Sequence, residues 1–253
     1  MALSPKLGIP ERFRDRSPRP PGEGQAAGRP PLPQPCDVLA AVGLLTVLPL
    51  CRPDRTSAAF GRATLFFPLV GLLMGALLVG LNAVLAGRVP SWLVAILLVA
   101  VWEAASGAAL IRALSQGDAG ALAVSGYVAV LLAKIGGVAF AAGARPAAVL
   151  FAPTLARWGM VVLAVGARDA EAPRRKFNSA ITFREFALTS VFTFAVVFAL
   201  AEAVGVVVVL CTAAGTLGLR LLSHRWLGGV SSRFLLASAQ GIETLVVVLF
   251  AFV

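Results

Sequence analysis

Trp92 to Tyr127 reads WLVAILLVAVWEAASGAALIRALSQGDAGALAVSGY, two apolar segments meeting at the short polar turn Ser115-Gln116-Gly117-Asp118. Both segments are apolar enough to cross a bilayer as helices, and that decides the fold class. The first carries Glu103 about eleven residues in, at a depth where an ionised carboxylate costs a few kcal/mol. Such a group turns towards a protein interior or a wet cavity, which makes Glu103 a candidate functional residue. The plainer alternative is a hydrogen bond to Ser106, one helical turn further along.

The composition carries the same reading to the whole chain. With 58% hydrophobic and 13% charged residues among 253, and a mean hydropathy of +0.88, it falls outside the soluble globular range. It predicts an all-α polytopic integral membrane bundle of about six to seven helices. The net charge of +10 gathers in loops and in the N-terminal segment. The partner this implies is the lipid bilayer, and no nucleic acid is expected. Cys36, Cys51 and Cys211 match neither a metal spacing nor a disulfide framework. The single histidine, His224, rules out a multi-histidine metal site.

Residues 1–35 are rich in Pro, Gly and Arg and poor in large apolar side chains. They are expected to form a disordered basic tail, leaving 36–253 as the membrane-embedded domain. The segment has neither the apolar core nor the small-residue cleavage site of a secretory signal. Val38–Leu50 covers roughly 20 Å as a helix, short of the ~30 Å hydrocarbon core, and reads as interfacial or re-entrant. Thr64–Ala86 is long enough to cross, with Pro68 near its start and Gly71, Gly75 and Gly80 for close helix approach. Spans are also expected over Trp92–Leu114, Ala119–Ala142, Ala147–Val165 and Phe234–Val253. Phe186–Leu222 is too long for one crossing and is expected to break at Glu202 and Gly205 into a hairpin. The preferred count is six spans plus the short first helix. Loops Arg52–Arg62, Ser115–Asp118, Arg168–Glu185 and Ser223–Arg233 then share one side, and their basic residues place that side in the cytoplasm.

Lys134 and Arg157 lie deep inside their segments, and a mid-span ammonium calls for a carboxylate partner. Glu103, Lys134 and Arg157 are therefore the candidate catalytic set, with a purely structural ion network as the alternative.

Several stretches together resemble the cobalamin synthase family, the adenosylcobinamide-GDP ribazoletransferases. Leu45-Thr46-Val47-Leu48-Pro49 is similar to the family's L-T-x-L-P. Phe67-Pro68-Leu69-Val70-Gly71-Leu72-Leu73-Met74-Gly75 is similar to its F-P-L-V-G-x-x-x-G, the strongest single match. Leu132-Ala133-Lys134 resembles a retained lysine segment. Ala152-Pro153-Thr154-Leu155-Ala156-Arg157-Trp158-Gly159-Met160 resembles A-P-x-x-S-R-W-x-M, with Ala156 for the serine. Leu227-Gly228-Gly229-Val230-Ser231 resembles the L-G-G-x-T-G-D before the last span. The order and spacing hold from about Cys36 to Val253.

The resemblance implies transfer of GDP-activated adenosylcobinamide to α-ribazole or its phosphate with release of GMP. Corrinoid and nucleotide-type molecules would be the ligands and Mg2+ the cofactor. It also exposes departures. The family's acidic signature, H-x-D-G-x-x-D-x-x-D-G, aligns here with Ser106–Gln116. Ser106 stands for the histidine, and Ala108, Arg112 and Ser115 stand for the three aspartates. Three aspartates at that spacing share a helix face and could hold a hard cation; alanine, arginine and serine cannot. Arg233 and Gln240 replace an aspartate and a glutamate, while Glu243 is kept. Any bound metal would have to use Glu103, Asp118 and Glu243. Arg112, Arg174, Arg175 and Arg233 are the candidate substrate-binding cations. Two functions follow: a membrane transferase of the late cobalamin pathway, or a catalytically silent relative that binds a corrinoid, a nucleotide or a protein partner. A homo-oligomer is compatible with either.

Overall fold

A computed structural model describes residues 34–48, 57–106, 121–141, 143–167 and 181–252, all within one compact unit, Gln34–Val253. Among the described residues there are eight α-helices and no β-strand, in keeping with the all-α expectation. Nearly all of the expected N-terminal tail lies outside the described residues, as do Cys51, Arg112, Asp118, Arg174 and Arg175.

The first helix, α1 (Pro35–Leu45), opens with a capping box in which Asp37 and Gln34 satisfy each other's end of the helix. Asp37 is also the partner of Arg62 at 3.0 Å, which ties α1 to α2 (Ser57–Thr64). Eleven residues of helix reach about 16 Å, too short to cross. After α1 the Val47 N–H donates to the Ala105 carbonyl at 3.1 Å.

Among the described residues five helices are long and apolar enough to span a bilayer, which makes this an integral membrane protein. The first is α3 (Phe67–Leu85), where Pro68 sits in the opening turn and needs no acceptor for a donor it lacks. The 15-residue α4 (Ser91–Ala105) follows and is not one of the five, being too short; its helix ends before the expected Leu114. Then come α5 (Ala121–Phe140) and α6 (Arg145–Ala164). The 44-residue α7 (Phe183–Trp226) and α8 (Ser232–Ala251) complete the set. Arg145 closes the α5–α6 turn by donating to the Val138 and Ala139 carbonyls at 2.9 and 3.3 Å.

As expected, α7 is not one rod. Glu202 has φ 48° and ψ −132°, and the chain reverses there into a hairpin whose arms run roughly 28 and 36 Å. Gly205 fits where a Cβ would meet the Val197 carbonyl at 2.9 Å and Ala201 Cβ at 2.9 Å. Most of the hairpin faces outward: only 17% of its apolar window is buried, and Val191, Phe198, Leu210 and Leu221 are open to lipid.

The centre of the bundle is α6, which packs on α3, α5, α7 and α8 and has 89% of its apolar window buried. Its approach to α3 is the tightest feature of the fold. A Cβ on Gly71 would lie 2.5 Å from the Pro153 carbonyl oxygen, and one on Gly75 would lie 2.8 Å from Leu150 Cα. Those contacts are with backbone, which cannot swing aside. Gly80 was grouped with these two on sequence grounds, but it has open space where its Cβ would be.

This difference is testable. Gly75→Ala should destabilise the protein in detergent by about 1–3 kcal/mol, the usual range for overpacking. Gly80→Ala should be neutral or slightly stabilising through helix propensity. Equal melting shifts for the two variants would contradict the packing described.

Candidate functional site

The charged residues that the sequence distributes over four helices converge. Glu103 lies in the last turn of α4, Lys134 two-thirds along α5, Arg157 past the middle of α6, and Gln240 and Glu243 one turn apart on α8. All are buried: Lys134 and Glu243 are fully enclosed, and Arg157, Gln240 and Glu103 are 5, 7 and 9% exposed.

Lys134 is the hub. Its ammonium donates to Glu103 Oε1 at 2.7 Å, Gln240 Oε1 at 2.5 Å and Glu243 Oε2 at 2.7 Å. Three donors are all that an ammonium has, so its capacity is full. The Trp102 ring lies 4.6 Å from the same nitrogen and adds a cation–π contact. Arg157 Nη1 donates to Glu243 Oε1 at 3.0 Å. Glu103 Oε2 accepts from Tyr127 Oη at 3.2 Å and from Gln240 Nε2 at 3.1 Å. Each of the four carboxylate oxygens thus has a donor, and two cations balance two anions.

The expectation that Lys134 finds a carboxylate holds twice over. Arg157, in contrast, pairs with Glu243 and not with Glu103. The Glu103–Ser106 hydrogen bond is absent: the Ser106 hydroxyl points to Met74 Sδ at 3.6 Å and lies 3.5 Å from Arg157 Nη2. Arg233 is exposed in the first turn of α8, about two helical turns before Gln240, and does not join the cluster. Arg112, Arg174, Arg175 and Asp118 lie outside the described residues.

Tyr127 and Trp102 were not singled out from sequence. Tyr127 precedes Lys134 by seven residues, two turns along one helix face, and that spacing could have flagged it. Trp102 adjoins Glu103 in an apolar run and carries no comparable signal.

The described residues do not fit a divalent cation. Mg2+ needs carboxylate oxygens free to coordinate it with water in near-octahedral geometry. Here both carboxylates of the proposed metal set that the structure describes have their oxygens bound to donors, and Lys134 already stands between them. Among the described residues no group of three or more His, Cys, Asp or Glu side chains is placed to hold a metal.

A protein-family model for Cobalamin-5-phosphate synthase matches residues 37–111 and 104–251. An adenosylcobinamide-GDP ribazoletransferase of Pseudomonas paraeruginosa (strain DSM 24068 / PA7) is 38% identical over 143 residues, covering 47% of this chain and 58% of that protein. One of Pseudomonas fluorescens (strain Pf0-1) is 49% identical over 69 residues, 27% of this chain and 28% of its own length. The chain thus spans little more than half of the first relative and about a quarter of the second. In the first alignment, 47% of 253 residues is about 119, so roughly 24 of the 143 aligned positions have no counterpart here. No solved structure matches.

The cluster should behave as one unit. Removing one member of a buried ion pair typically costs about 3–5 kcal/mol, because it strands the other charge. Lys134→Met, which leaves Glu103 without a cation while Glu243 keeps Arg157, should be the more damaging of two single changes, with Glu103→Gln the milder. The double variant should lose clearly less than the sum of the two, a coupling of about 1–3 kcal/mol in a double-mutant cycle on unfolding. Strict additivity would mean that the two side chains do not meet.

Proposed function

The chain belongs to the cobalamin-5-phosphate synthase family, and from that premise we propose that it is a silent relative, keeping the family's membrane bundle without the metal-dependent transfer. The observation that carries this reading is the closed cluster: Lys134 and Arg157 together with Tyr127 and Gln240 occupy every oxygen of Glu103 and Glu243. Joining two phosphate-bearing molecules calls for a Lewis acid to offset the diphosphate charge. The cluster offers no carboxylate oxygen to one.

The sequence supports the same reading from a second direction. In the alignment that the resemblance implies, Ala108, Arg112 and Ser115 stand at the aspartate positions of the family signature. The two family-model matches overlap over 104–111, which takes in the first half of that stretch. Substrate affinity is a separate matter. Arg112, Arg174, Arg175 and Arg233 offer positive charge to corrinoid- or nucleotide-linked phosphates from the side proposed to be cytoplasmic. Attraction that is equal in ground state and transition state yields binding without rate.

The test is direct. Membranes containing the protein, given adenosylcobinamide-GDP, α-ribazole and Mg2+, should yield at least about a hundredfold less product than an intact family member, since a Lewis acid contributes several kcal/mol to the barrier. Millimolar Mg2+ or EDTA should leave the melting temperature unchanged. Placing Asp at 108, 112 and 115 together (Ala108→Asp, Arg112→Asp, Ser115→Asp) should raise turnover in whatever fraction folds. Product formation by the unmodified chain at a family member's rate would sink the proposal and restore the transferase reading.

A further inference from the structure

The reversal in α7 is made by a residue that the turn itself does not favour. Glu202 has φ 48° and ψ −132°, and among the described residues no other non-glycine has a positive φ. Backbone of that kind suits glycine, and a side chain held there is strained. Glu202 is exposed and enters no hydrogen bond or ion pair among the described residues. No contact of its side chain within the chain offsets the strain, which directs attention to what lies outside it.

Next to the turn, the two arms of the hairpin enclose a wholly apolar groove of about 360 Å3 that is open on one side. Phe194, Val197 and Phe198 line it from the first arm, and Val206, Val209 and Ala213 from the second. Their i, i+3 and i+4 spacing sets each group on one helix face. Trp158 backs Phe194 edge-on, with ring centroids 5.2 Å apart. From Gly205 to Ala213 the groove runs about 12 Å along the helix. One leaflet is half of the ~30 Å hydrocarbon core, so the groove has nearly the depth of a single leaflet. Glu202 lies less than one helical turn before Gly205, at the end where that leaflet meets its headgroups.

We propose that this groove holds one acyl chain of an amine-headed phospholipid, whose ammonium donates to the Glu202 carboxylate at the leaflet surface. Length decides for an acyl chain: a spanning helix of a second copy would cross both leaflets and overrun the groove. Volume agrees, since at ~30 Å3 per methylene, the share one water takes in the liquid, the groove holds about a dozen carbons. Charge selects the head. Phosphatidylethanolamine brings N–H donors on a cation, and such charge-assisted hydrogen bonds are the strong ones. Phosphatidylcholine has the positive charge without an N–H, and phosphatidylglycerol meets the carboxylate with like charge only. The site uses neither the buried ion cluster nor any step of the transfer, so it stands whether or not the chain is catalytically silent.

The full chain in detergent is titrated with phosphatidylethanolamine, phosphatidylcholine and phosphatidylglycerol of matched acyl chains, and retained lipid is counted by native mass spectrometry. Phosphatidylethanolamine should bind about tenfold more tightly than phosphatidylglycerol, the worth of one hydrogen bond to a charged group, with phosphatidylcholine between them. Glu202→Gln should make the three lipids equal while chain binding persists. Glu202→Gly should also erase the preference, yet raise the melting temperature in lipid-free detergent by releasing the strain. A residue kept only to shape the turn would not show that opposition. Val206→Trp fills the groove from its exposed side and should abolish retention of all three lipids with the melting temperature kept. Ala213→Phe fills it from the other end and serves if the first variant fails to fold. Equal retention by the unmodified protein, a preference that survives Glu202→Gln, or retention indifferent to a filled groove overturns the proposal. So does a concentration-dependent dimer that Val206→Trp breaks, since a second copy would then occupy the groove.

Discussion

Charges inside a membrane bundle must cancel, and this requirement organises the protein. Two ammonium- or guanidinium-bearing helices meet two carboxylate-bearing helices at one depth, and none of the four charges would be tolerable alone. Lys134 reaches across three helices to do so: it sits on α5 and bonds to α4 and twice to α8. Arg157 brings α6 into the same set. The cluster therefore fixes the register of α4, α5, α6 and α8 along the bundle axis, which apolar packing alone would leave free to slide. Lipid provides no hydrophobic drive between helices, so such polar contacts and close packing carry more of the specificity.

The central helix makes the convergence geometrically feasible. α6 is enclosed on all sides, so Arg157 faces partners and not lipid. Enclosure depends on small residues: Gly71 and Gly75 let α3 lie against the α6 backbone, and Ala148, Ala152 and Ala156 keep α6 slim. The ends are secured separately. Arg220 donates to the Val162 carbonyl at 2.9 Å near the C-terminus of α6, and Arg145 holds the α5–α6 turn at the other. Arg220 from within α7 and Arg145 at the first position of α6 thus satisfy carbonyls at helix ends.

Much of this was legible in the sequence because bilayers punish polar groups. Glu103, Lys134 and Arg157 stood out as charges in apolar runs, and the physical cost of leaving them unpaired predicted that they would meet. The break in α7 was legible because the apolar run Phe186–Leu222 exceeds one crossing and Glu202 and Gly205 interrupt it. What could not be read was pairing. Glu243, which bridges both cations, carried no more signal than Glu103, and one-dimensional spacing does not say which helix lies beside which. Gly80 shows the same limit: a glycine marks a permitted contact, and only the neighbour decides whether the contact exists. The end of α4 at Ala105 was missed because an apolar run predicts a helix without saying where capping stops it. Here the Val47 N–H takes the Ala105 carbonyl.

Charge counting also bears on why particular residues differ from the family pattern. The resemblance places a glutamate at the position of Gln240 and three aspartates where Ala108, Arg112 and Ser115 stand. A cluster with that extra glutamate would carry net negative charge and would need a bound cation to settle it. Without a cation, four further carboxylates in or beside a bilayer would each cost free energy with nothing in return. Replacement by an amide, an alanine and a serine removes that cost at three of the four positions, and the arginine at 112 reverses the sign of the charge at the fourth. Lys134, Arg157, Glu103 and Glu243 are under no such pressure, because they cancel one another with no ion present. Under the proposed reading, then, the losses and the retentions have one cause. Groups that depended on a metal are gone, and groups that neutralise each other remain.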